Sequence, residues 1–237
     1  MNKIGYENMA NIHKTYAFIP ARGGSKRIPH KNLQQINGKP LIQYTIEAAQ
    51  NASLFEKVVV STDDLQIESL SIELGADVIR RPLELATDTS TTIDSVLHFI
   101  HEYKLEPEDV IVLLQPTSPL RKENHIIKAH ECFLSKKGKS LISVTKPDHS
   151  PFWNFEMENG FLVPIMDKKY MSMRSQDLPE TYIPNGAIYI ASVYTIKSKQ
   201  SFYCSDTLAY IMDRADSIDI DEPIDLQLAE LLIKMNN

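Results

Sequence analysis

Short runs of apolar, mostly β-branched residues alternate with longer segments of helical periodicity over the first 145 residues of the chain. The runs predict buried strands at 16–20, 58–61, 78–80, 110–114 and 141–144. The intervening segments predict helices at 40–50, 65–74, 92–102 and 123–134. Strands that are apolar on both faces are typical of a parallel sheet that helices cover on both sides. We therefore predict an α/β fold with a doubly wound, mostly parallel sheet.

The pattern changes after residue 145. Asn159 and Gly160 separate the segments 152–158 and 161–164, which predicts a hairpin with a type I′ turn. Later strands are predicted at 187–191, 208–212 and 217–220, followed by a last helix at 223–234. We expect one domain over residues 15–237, in which 147–206 contains an excursion from the main sheet, and a short N-terminal extension over residues 1–14.

Composition excludes several classes of protein. The net charge of −6 argues against nucleic-acid binding, which needs a surplus of Lys and Arg. No apolar run approaches the roughly 18 residues that span a bilayer, so no membrane association is expected. The two cysteines, Cys132 and Cys204, lack metal-ligand spacing, and a reducing, cytoplasmic setting is expected.

The loop after the first predicted strand combines glycines with basic residues. Ligands of open α/β sheets bind at the carboxyl ends of the strands, so such loops are candidate sites. Gly23 and Gly24 allow the backbone to approach phosphate oxygens closely, and Arg22 and Lys26 add positive charge. The loop matches neither the Walker pattern nor G-x-G-x-x-G. Its position favours a triphosphate site, and the alternative is a solvated basic loop.

Two further loops carry polar residues after predicted strands. Residues 61–64 read Ser-Thr-Asp-Asp, and Thr62 or Asp63 could simply cap the next helix. Residues 115–121 read Gln-Pro-Thr-Ser-Pro-Leu-Arg, which suits a hydroxyl-rich ligand. The alternative for that loop is a rigid turn in which Ser118 caps the following helix.

A pair of carboxylates precedes the last predicted helix. If 217–220 is a strand, Asp219 and Asp221 point to the same face. Two carboxylates that face a polyphosphate would form a Mg²⁺ site. The alternative is that Asp221 or Glu222 caps the helix, which leaves Asp219 unexplained.

Taken together, these segments resemble the acylneuraminate cytidylyltransferases (CMP-sialic acid synthetases) from about Tyr16 to the end of the chain. The resemblance rests on six motifs in the same order. They are I-P-A-R-G-G-S-K-R-I-P-H-K-N at 19–32, V-S-T-D-D at 60–64, R-P-L-E-L-A-T-D at 81–88, L-L-Q-P-T-S-P-L-R at 113–121, P-N-G-A-I-Y at 184–189 and S-I-D-I-D at 217–221. The resemblance implies a Rossmann-like nucleotidyltransferase fold with a small dimerisation excursion.

The resemblance also implies roles for individual residues. Those expected to bind CTP are Arg22, Gly23, Gly24, Ser25, Lys26, Asn32, Arg81 and Thr92. Those expected to bind the sugar acid are Gln115, Ser118, Arg174, Tyr189, Phe202 and Tyr203, the last two lent by the other subunit of a homodimer. Arg22, Lys26, Asp219 and Asp221 are expected to be catalytic, with the two aspartates holding Mg²⁺.

The implied reaction is attack of the anomeric hydroxyl of a nine-carbon sugar acid on the α-phosphorus of CTP, with release of pyrophosphate. Two departures from the family pattern lie where the sugar is expected. Ile183 stands where some members have arginine, and Tyr203 where some have phenylalanine. We therefore expect N-acetylneuraminic acid or a close relative as the acceptor, with legionaminic acid as the main alternative. The remaining alternatives are a nucleotidyltransferase for another sugar or another nucleotide and a nucleotide-binding or assembly protein without activity.

Overall fold

In the computed structural model the chain is described over residues 13–87, 89–136 and 138–235. The strands of these ranges are β1 (Thr15–Pro20), β2 (Gln35–Ile36), β3 (Lys39–Pro40), β4 (Lys57–Thr62), β5 (Asp77–Arg80), β6 (Val110–Leu113), β7 (Ser140–Thr145), β8 (Phe155–Glu158), β9 (Phe161–Pro164), β10 (Ile183–Ser192) and β11 (Thr207–Ile211). The α-helices are α1 (Leu41–Ala52), α2 (Leu65–Glu73), α3 (Thr92–Glu102), α4 (Glu123–Lys136), α5 (Val193–Lys199) and α6 (Pro223–Met235).

Seven strands form the central sheet in the order β11-β7-β10-β6-β1-β4-β5. Strand β10 runs antiparallel to both of its neighbours, and the other neighbouring pairs are parallel. From β1 the chain first builds outward through β4 and β5 and then returns to place β6 on the other side of β1. The sheet is therefore doubly wound, with its switch in strand order between β1 and β6.

The side chains of β1 show why the sheet is covered on both faces. Ala17 and Ile19 pack into one apolar cluster with α1, α2 and α4, while Tyr16 and Phe18 pack into another with α3 and α5. Alternate residues of a strand point to opposite faces, so a run that is apolar throughout needs helices on both sides. The predicted fold class and the five strands before residue 145 are confirmed.

The predicted strand at 217–220 is wrong. These residues pair with no strand and cross the carboxyl edge of the sheet, where the Ile220 N–H donates to the Thr117 carbonyl at 2.9 Å. Ile220 is buried, and Ile218 packs beside it, in a small cluster beneath α6. The apolar alternation that suggested a strand therefore serves helix packing.

The sequence prediction also missed α5 and the short hairpin of β2 and β3. The sequence of α5 is rich in β-branched and aromatic residues, which favour strands. The helix begins because the Ser192 hydroxyl accepts the Thr195 N–H at 3.2 Å, satisfying one of the first free donors of the helix.

The chain leaves the sheet between β7 and β10, over residues 146–182, and forms the hairpin of β8 and β9. Asn159 and Gly160 both have positive φ, as a type I′ turn requires. The first two residues of the predicted hairpin, 152 and 153, instead belong to a single 3₁₀ turn over Pro151–Trp153. Within 147–206, the chain returns to the main sheet at residue 183 as β10, which α5 follows.

Most of the predicted N-terminal extension, residues 1–12, lies outside the described residues. In the ranges that the structure describes, none of the helices combines the length and the apolar character needed to cross a membrane.

Candidate active site

A cleft of about 400 Å³ opens at the carboxyl ends of β1 and β6, at the switch in strand order. Its walls come from loops that are far apart in sequence. The lining residues are Pro20, Arg22, Gly24, Ser25, Lys31, Asn32, Arg81, Ser90, Thr91, Thr92, Ser95, Gln115, Pro116, Thr117, Asp219 and Asp221. Nine of the residues predicted to bind CTP, metal or sugar acid are therefore brought together in one place.

The loop after β1 is fixed by the loop after β4. The Gly23 N–H donates to Asp63 Oδ1 at 2.9 Å, and a Cβ placed on Gly23 would lie 2.8 Å from the side chain of Asp64. Asn32 donates from Nδ2 to the Arg22 carbonyl at 3.0 Å. These contacts hold the backbone of the loop so that Arg22 and its neighbours face the cleft.

The residue that caps α2 is Asp64, whose Oδ1 accepts the N–H groups of Gln66 and Ile67 at 2.8 and 3.1 Å. The alternative that Thr62 or Asp63 caps this helix is therefore wrong. Asp63 instead accepts from Gly23, and the Thr62 hydroxyl accepts the Asp64 N–H at 3.1 Å.

Arg81 is a buried cation that borders the cleft. Its Nε donates to Ser61 Oγ at 3.1 Å and its Nη2 donates to the Ser61 carbonyl at 2.9 Å. Burial lowers the pKa of Arg81, and the nearby carboxylate of Asp63 opposes that shift. A guanidinium held in this way presents fixed donors to a ligand in the cleft.

Lys31 lines the cleft, although the sequence prediction did not include it among the candidate binding residues. It belongs to the basic cluster of the first loop, which was the available signal. Its Nζ donates to the Ile220 carbonyl at 2.8 Å and to Asp221 Oδ1 at 3.3 Å. Lys31 thus joins the basic first loop to the carboxylate side of the cleft. Lys26 lies beside it, lining an adjoining depression with Arg27.

Asp219 and Asp221 both line the cleft, although no strand positions them. Asp219 is accessible from the cleft, but the surrounding protein removes part of its water, which raises its pKa. A hydrogen bond from Thr117 opposes the shift, and the charge of Asp221 adds to it. Asp221 forms ion pairs with Arg27 at 3.2 Å and with Lys31 at 3.3 Å.

In the described residues the carboxylates of Asp221 and Glu222 pair with Arg27 and Lys31 and accept no N–H group of α6, so the capping alternative is also wrong. The N–H groups of Asp221 and Glu222 donate to Asp225 Oδ2, at 2.9 and 2.7 Å. The carboxylates of Asp219 and Asp221 are therefore not engaged in helix capping. In the part of the chain that the structure describes, no group of three or more acidic, His or Cys side chains could hold a metal alone. Mg²⁺ commonly takes one or two carboxylates together with phosphate oxygens, so this pair fits an ion shared with a polyphosphate.

A second, more apolar cavity of about 190 Å³ adjoins the first. Thr92 and Gln115 line both cavities. Tyr189 packs against Phe202 and Tyr203, with ring centroids 5.8 and 6.4 Å apart. Burial raises the pKa of Tyr189 far above its ordinary value, so its hydroxyl stays protonated. The predicted sugar residues Gln115, Tyr189, Phe202 and Tyr203 are thus contiguous with the cleft. Phe202 and Tyr203 line a cavity of their own chain, where Phe202 is buried beside Tyr189, whereas this pair was expected from the sequence to reach the pocket of the other subunit.

Two predicted sugar residues lie elsewhere. Ser118 is fully buried and does not line the cleft, and its hydroxyl has no hydrogen-bond partner in the described structure. It therefore does not cap α4 either. Arg174 lies exposed in the excursion, where its Nε donates to Asp177 at 2.9 Å.

Comparison with known proteins places the chain among its relatives. The cytidylyltransferase family model matches residues 16–232. An N-acylneuraminate cytidylyltransferase of Escherichia coli is 36% identical over 225 residues, which cover 94% of this chain and 53% of the relative. A CMP-N,N′-diacetyllegionaminic acid synthase of Legionella pneumophila is 40% identical over 230 residues, covering 93% of this chain and 96% of the relative.

The chain spans about half the length of the E. coli relative and of a Streptococcus agalactiae relative of the same name. Among solved structures, a CMP:2-keto-3-deoxy-manno-octonic acid synthetase complexed with CTP superimposes with a TM-score of 0.72 at 18% identity. That match covers 94% of this chain and all of the other, and it supports the nucleotidyltransferase fold. With the family model matching nearly its whole length, the chain belongs to the cytidylyltransferase family.

Proposed function

We propose that this chain transfers CMP from CTP to the anomeric hydroxyl of a nonulosonic acid and releases pyrophosphate. The observation that carries the proposal is the pair of connected cavities. One is lined by basic residues and by Asp219 and Asp221, the other by aromatic rings, and Gln115 borders both. A triphosphate and a sugar acid could therefore lie side by side. The relatives named above support the same chemistry.

The reaction asks for positioning and charge neutralisation rather than a covalent intermediate. The hydroxyl oxygen forms a bond to the α-phosphorus. The bond between that phosphorus and the oxygen that bridges the α- and β-phosphates breaks. Pyrophosphate keeps that electron pair, and the hydroxyl proton is released. Arg22, Lys26 and Lys31 would neutralise phosphate charge from the first loop. Arg81 would present its guanidinium from the wall of the cleft.

Asp219 and Asp221 would hold Mg²⁺ in this proposal. Such an ion, when bound, neutralises charge on the phosphates of the nucleotide. In the described structure Asp221 is paired with Arg27 and Lys31. Binding of the metal and the triphosphate would therefore exchange these ion pairs for contacts of the same cations with phosphate.

Several nine-carbon acids are candidate acceptors, of which N-acetylneuraminic acid and a legionaminic acid are the two expected from the sequence. The relative from Legionella pneumophila aligns over almost its full length, which favours the second candidate. Pseudaminic acid is a third, since a pseudaminic acid cytidylyltransferase of Campylobacter jejuni is 32% identical over 227 residues. Tyr203, whose ring is half-exposed at the second cavity, adds a hydroxyl that could hydrogen-bond an acceptor.

A homodimer is part of the proposal, supported by the surface of the excursion. The hairpin of β8 and β9 is isolated from the main sheet, and two strands alone are marginally stable. Large apolar side chains crowd it in the described structure: Phe155, Met157, Phe161, Leu162, Val163, Ile165 and Met166 are all exposed. A patch of this kind marks a protein interface.

A cytoplasmic location is proposed as well, because Cys132 and Cys204 are free thiols.

The test is pyrophosphate release from CTP and Mg²⁺ with N-acetylneuraminic acid, N,N′-diacetyllegionaminic acid, pseudaminic acid and an eight-carbon sugar acid in parallel. UTP and ATP replace CTP as nucleotide controls. We expect turnover with CTP and one nine-carbon acid. Silence with every nine-carbon acid, while CTP binds, would contradict the proposed acceptor class, and turnover with UTP or ATP would contradict the nucleotide.

A further inference from the structure

Arg121 is a buried cation that the proposed reaction leaves without a role. Its side chain is 2% exposed and is the largest among those that the described structure buries completely. None of the described carboxylates forms an ion pair with it, and burial alone accounts for the lowering of its pKa. Burying a charge without a counter-ion is strongly unfavourable, because the ion loses its water without gaining a partner. Core packing therefore does not explain an arginine here.

The guanidinium of Arg121 joins three separate parts of the fold. Its Nε donates to the Ala187 carbonyl of β10 at 3.1 Å. Its Nη2 donates to Thr45 Oγ1 of α1 at 2.7 Å and to the Gln115 carbonyl, in the loop after β6, at 3.0 Å. A planar fork holds such partners in a fixed arrangement.

Two of these partners flank the point where the walls of the site meet. Gly186, next to Ala187, has φ +75°. A Cβ there would lie 2.8 Å from Gln115 Oε1 and 3.6 Å from Asp219 Oδ2. Gln115 borders both cavities, and Asp219 borders the first. Arg121 therefore links the backbone of β10 to the backbone of the loop that carries Gln115. These two segments meet beside Asp219.

We propose that Arg121 is a positioning residue, which fixes Gln115 against β10 and Asp219. It thereby holds the nucleotide cavity (the cleft) and the acceptor cavity (the second, more apolar cavity) in a fixed position relative to each other. The proposal rests on the proposed function for its kinetic consequence. Its structural content, the placement of Gln115, is independent of the acceptor.

The decisive variant is Arg121→Met, which removes the fork and the buried charge while keeping a long side chain. Methionine removes the desolvation cost of the buried charge but leaves the Ala187 and Gln115 carbonyls without this donor, so we expect a folded variant whose melting temperature is below that of the parent. CTP binding, measured by calorimetry, should persist, because the hydrogen bonds of Arg121 go to Ala187, Thr45 and Gln115 and not to the basic loop after β1. We expect kcat to fall by about 100-fold, the effect of a displacement of roughly 1 Å at a reacting centre.

Three further variants separate positioning from a general loss of stability. Arg121→Lys keeps the charge but cannot reach all three acceptors, and should stay at least about tenfold below the parent in kcat. Thr45→Val removes only the contact to α1, should keep the fold and should lose less kcat. Phe133→Leu weakens the buried core on α4, away from the cleft, and should leave kcat unchanged.

The proposal is overturned if Arg121→Met keeps kcat within about threefold of the parent. It is also overturned if kcat follows melting temperature across all variants, Phe133→Leu included. If Arg121→Met does not fold, Arg121→Lys and Thr45→Val decide by the same comparison. A crystal structure of a folded Arg121 variant completes the test, because an unmoved Gln115 would refute positioning even if the parent turned over no nonulosonic acid. In that last case the failed assay counts against the proposed function alone.

Discussion

Gly186 lies where β10 passes directly beside the side chains of Gln115 and Asp219. Its φ of +75° belongs to the left-handed region that side chains rarely adopt. The space beside it is filled as well, because a Cβ would come within 2.8 Å of Gln115 Oε1. Conformation and close approach thus both require glycine at this position. The motif Pro-Asn-Gly was visible in the sequence, but which side chains meet at its glycine was not.

We expect Gly186→Ala to reduce kcat/KM by about 100-fold, because the added methyl group displaces Gln115. It should also lower the free energy of unfolding by about 1–3 kcal/mol through backbone strain. The matched control is Gly38→Ala, since Gly38 has φ +79° but no heavy atom within 4 Å of an added Cβ. Urea unfolding and steady-state kinetics should show a loss of stability in both variants and a large loss of activity only at Gly186. Equal losses of activity would contradict the contact with Gln115.

The carboxylates of Asp219 and Asp221 give a second prediction for single residues. Asp219→Asn keeps the shape of the side chain but removes its charge. We expect kcat to fall by about 100-fold or more, and the Mg²⁺ concentration for half-maximal rate to rise. EDTA should abolish turnover of the parent. Asp206→Asn, which removes an exposed partner of Lys139, is the control and should keep the parent's Mg²⁺ profile. An unchanged profile in Asp219→Asn would count against a metal at this site.

At the scale of elements, helix α5 shows how one side chain decides between a strand and a helix. Its residues favour a strand by propensity, yet Val193, Thr195 and Ile196 are buried, and the two apolar ones pack into the cluster that α3 forms with one face of the sheet. The Ser192 hydroxyl accepts the Thr195 N–H and donates to Thr195 Oγ1 at 3.0 Å. Tertiary packing and this cap outweigh a propensity difference of a few tenths of a kcal/mol per residue.

We expect Ser192→Ala to lower the free energy of unfolding by about 0.5–2 kcal/mol through loss of the cap. Ser192→Asp should retain most of the stability, since aspartate also caps helices well. The control is Ser198→Ala in the same helix, where the hydroxyl only donates back to the Thr195 carbonyl at 3.1 Å. Chemical denaturation of the three variants provides the measurement. Equal losses in Ser192→Ala and Ser198→Ala would show that capping does not hold α5.

The same elements explain how far the sequence alone could lead. The strands of the parallel sheet were predictable because their apolar runs must be buried on both faces. The cleft followed from them, because the carboxyl ends of parallel strands converge on one edge. The path of 217–220 was not predictable, since its isoleucines pack equally well on a strand or beneath α6. The contacts of Arg121 were not predictable either, because only the folded chain brings Thr45 and Ala187 to its guanidinium.

At the scale of the whole molecule, the excursion over 146–182 projects apolar surface that the described structure leaves uncovered. Phe161 is 75% exposed and Leu162 is 63% exposed, on a hairpin without neighbouring strands. Tyr203 and Ile183 add half-exposed apolar surface beside the second cavity and at the start of β10. Covering this surface would bury area at an interface and could complete the wall of the acceptor cavity.

We therefore expect the chain to be a dimer in solution and Phe161→Asp to shift it toward monomer. A charge at the centre of an apolar interface is left without a partner on association and costs several kcal/mol. Ile72→Asp is the control, because Ile72 is also well exposed, at 59%, but lies on α2, far from the hairpin in the fold. Sedimentation velocity should show a fall in mass only for Phe161→Asp. If the hairpin carries the interface and the interface completes the acceptor cavity, KM for the sugar acid should rise with dissociation, while CTP binding persists. A parent that sediments as a monomer at micromolar concentration would contradict the dimer directly. A Phe161→Asp variant that stays dimeric would place the interface elsewhere.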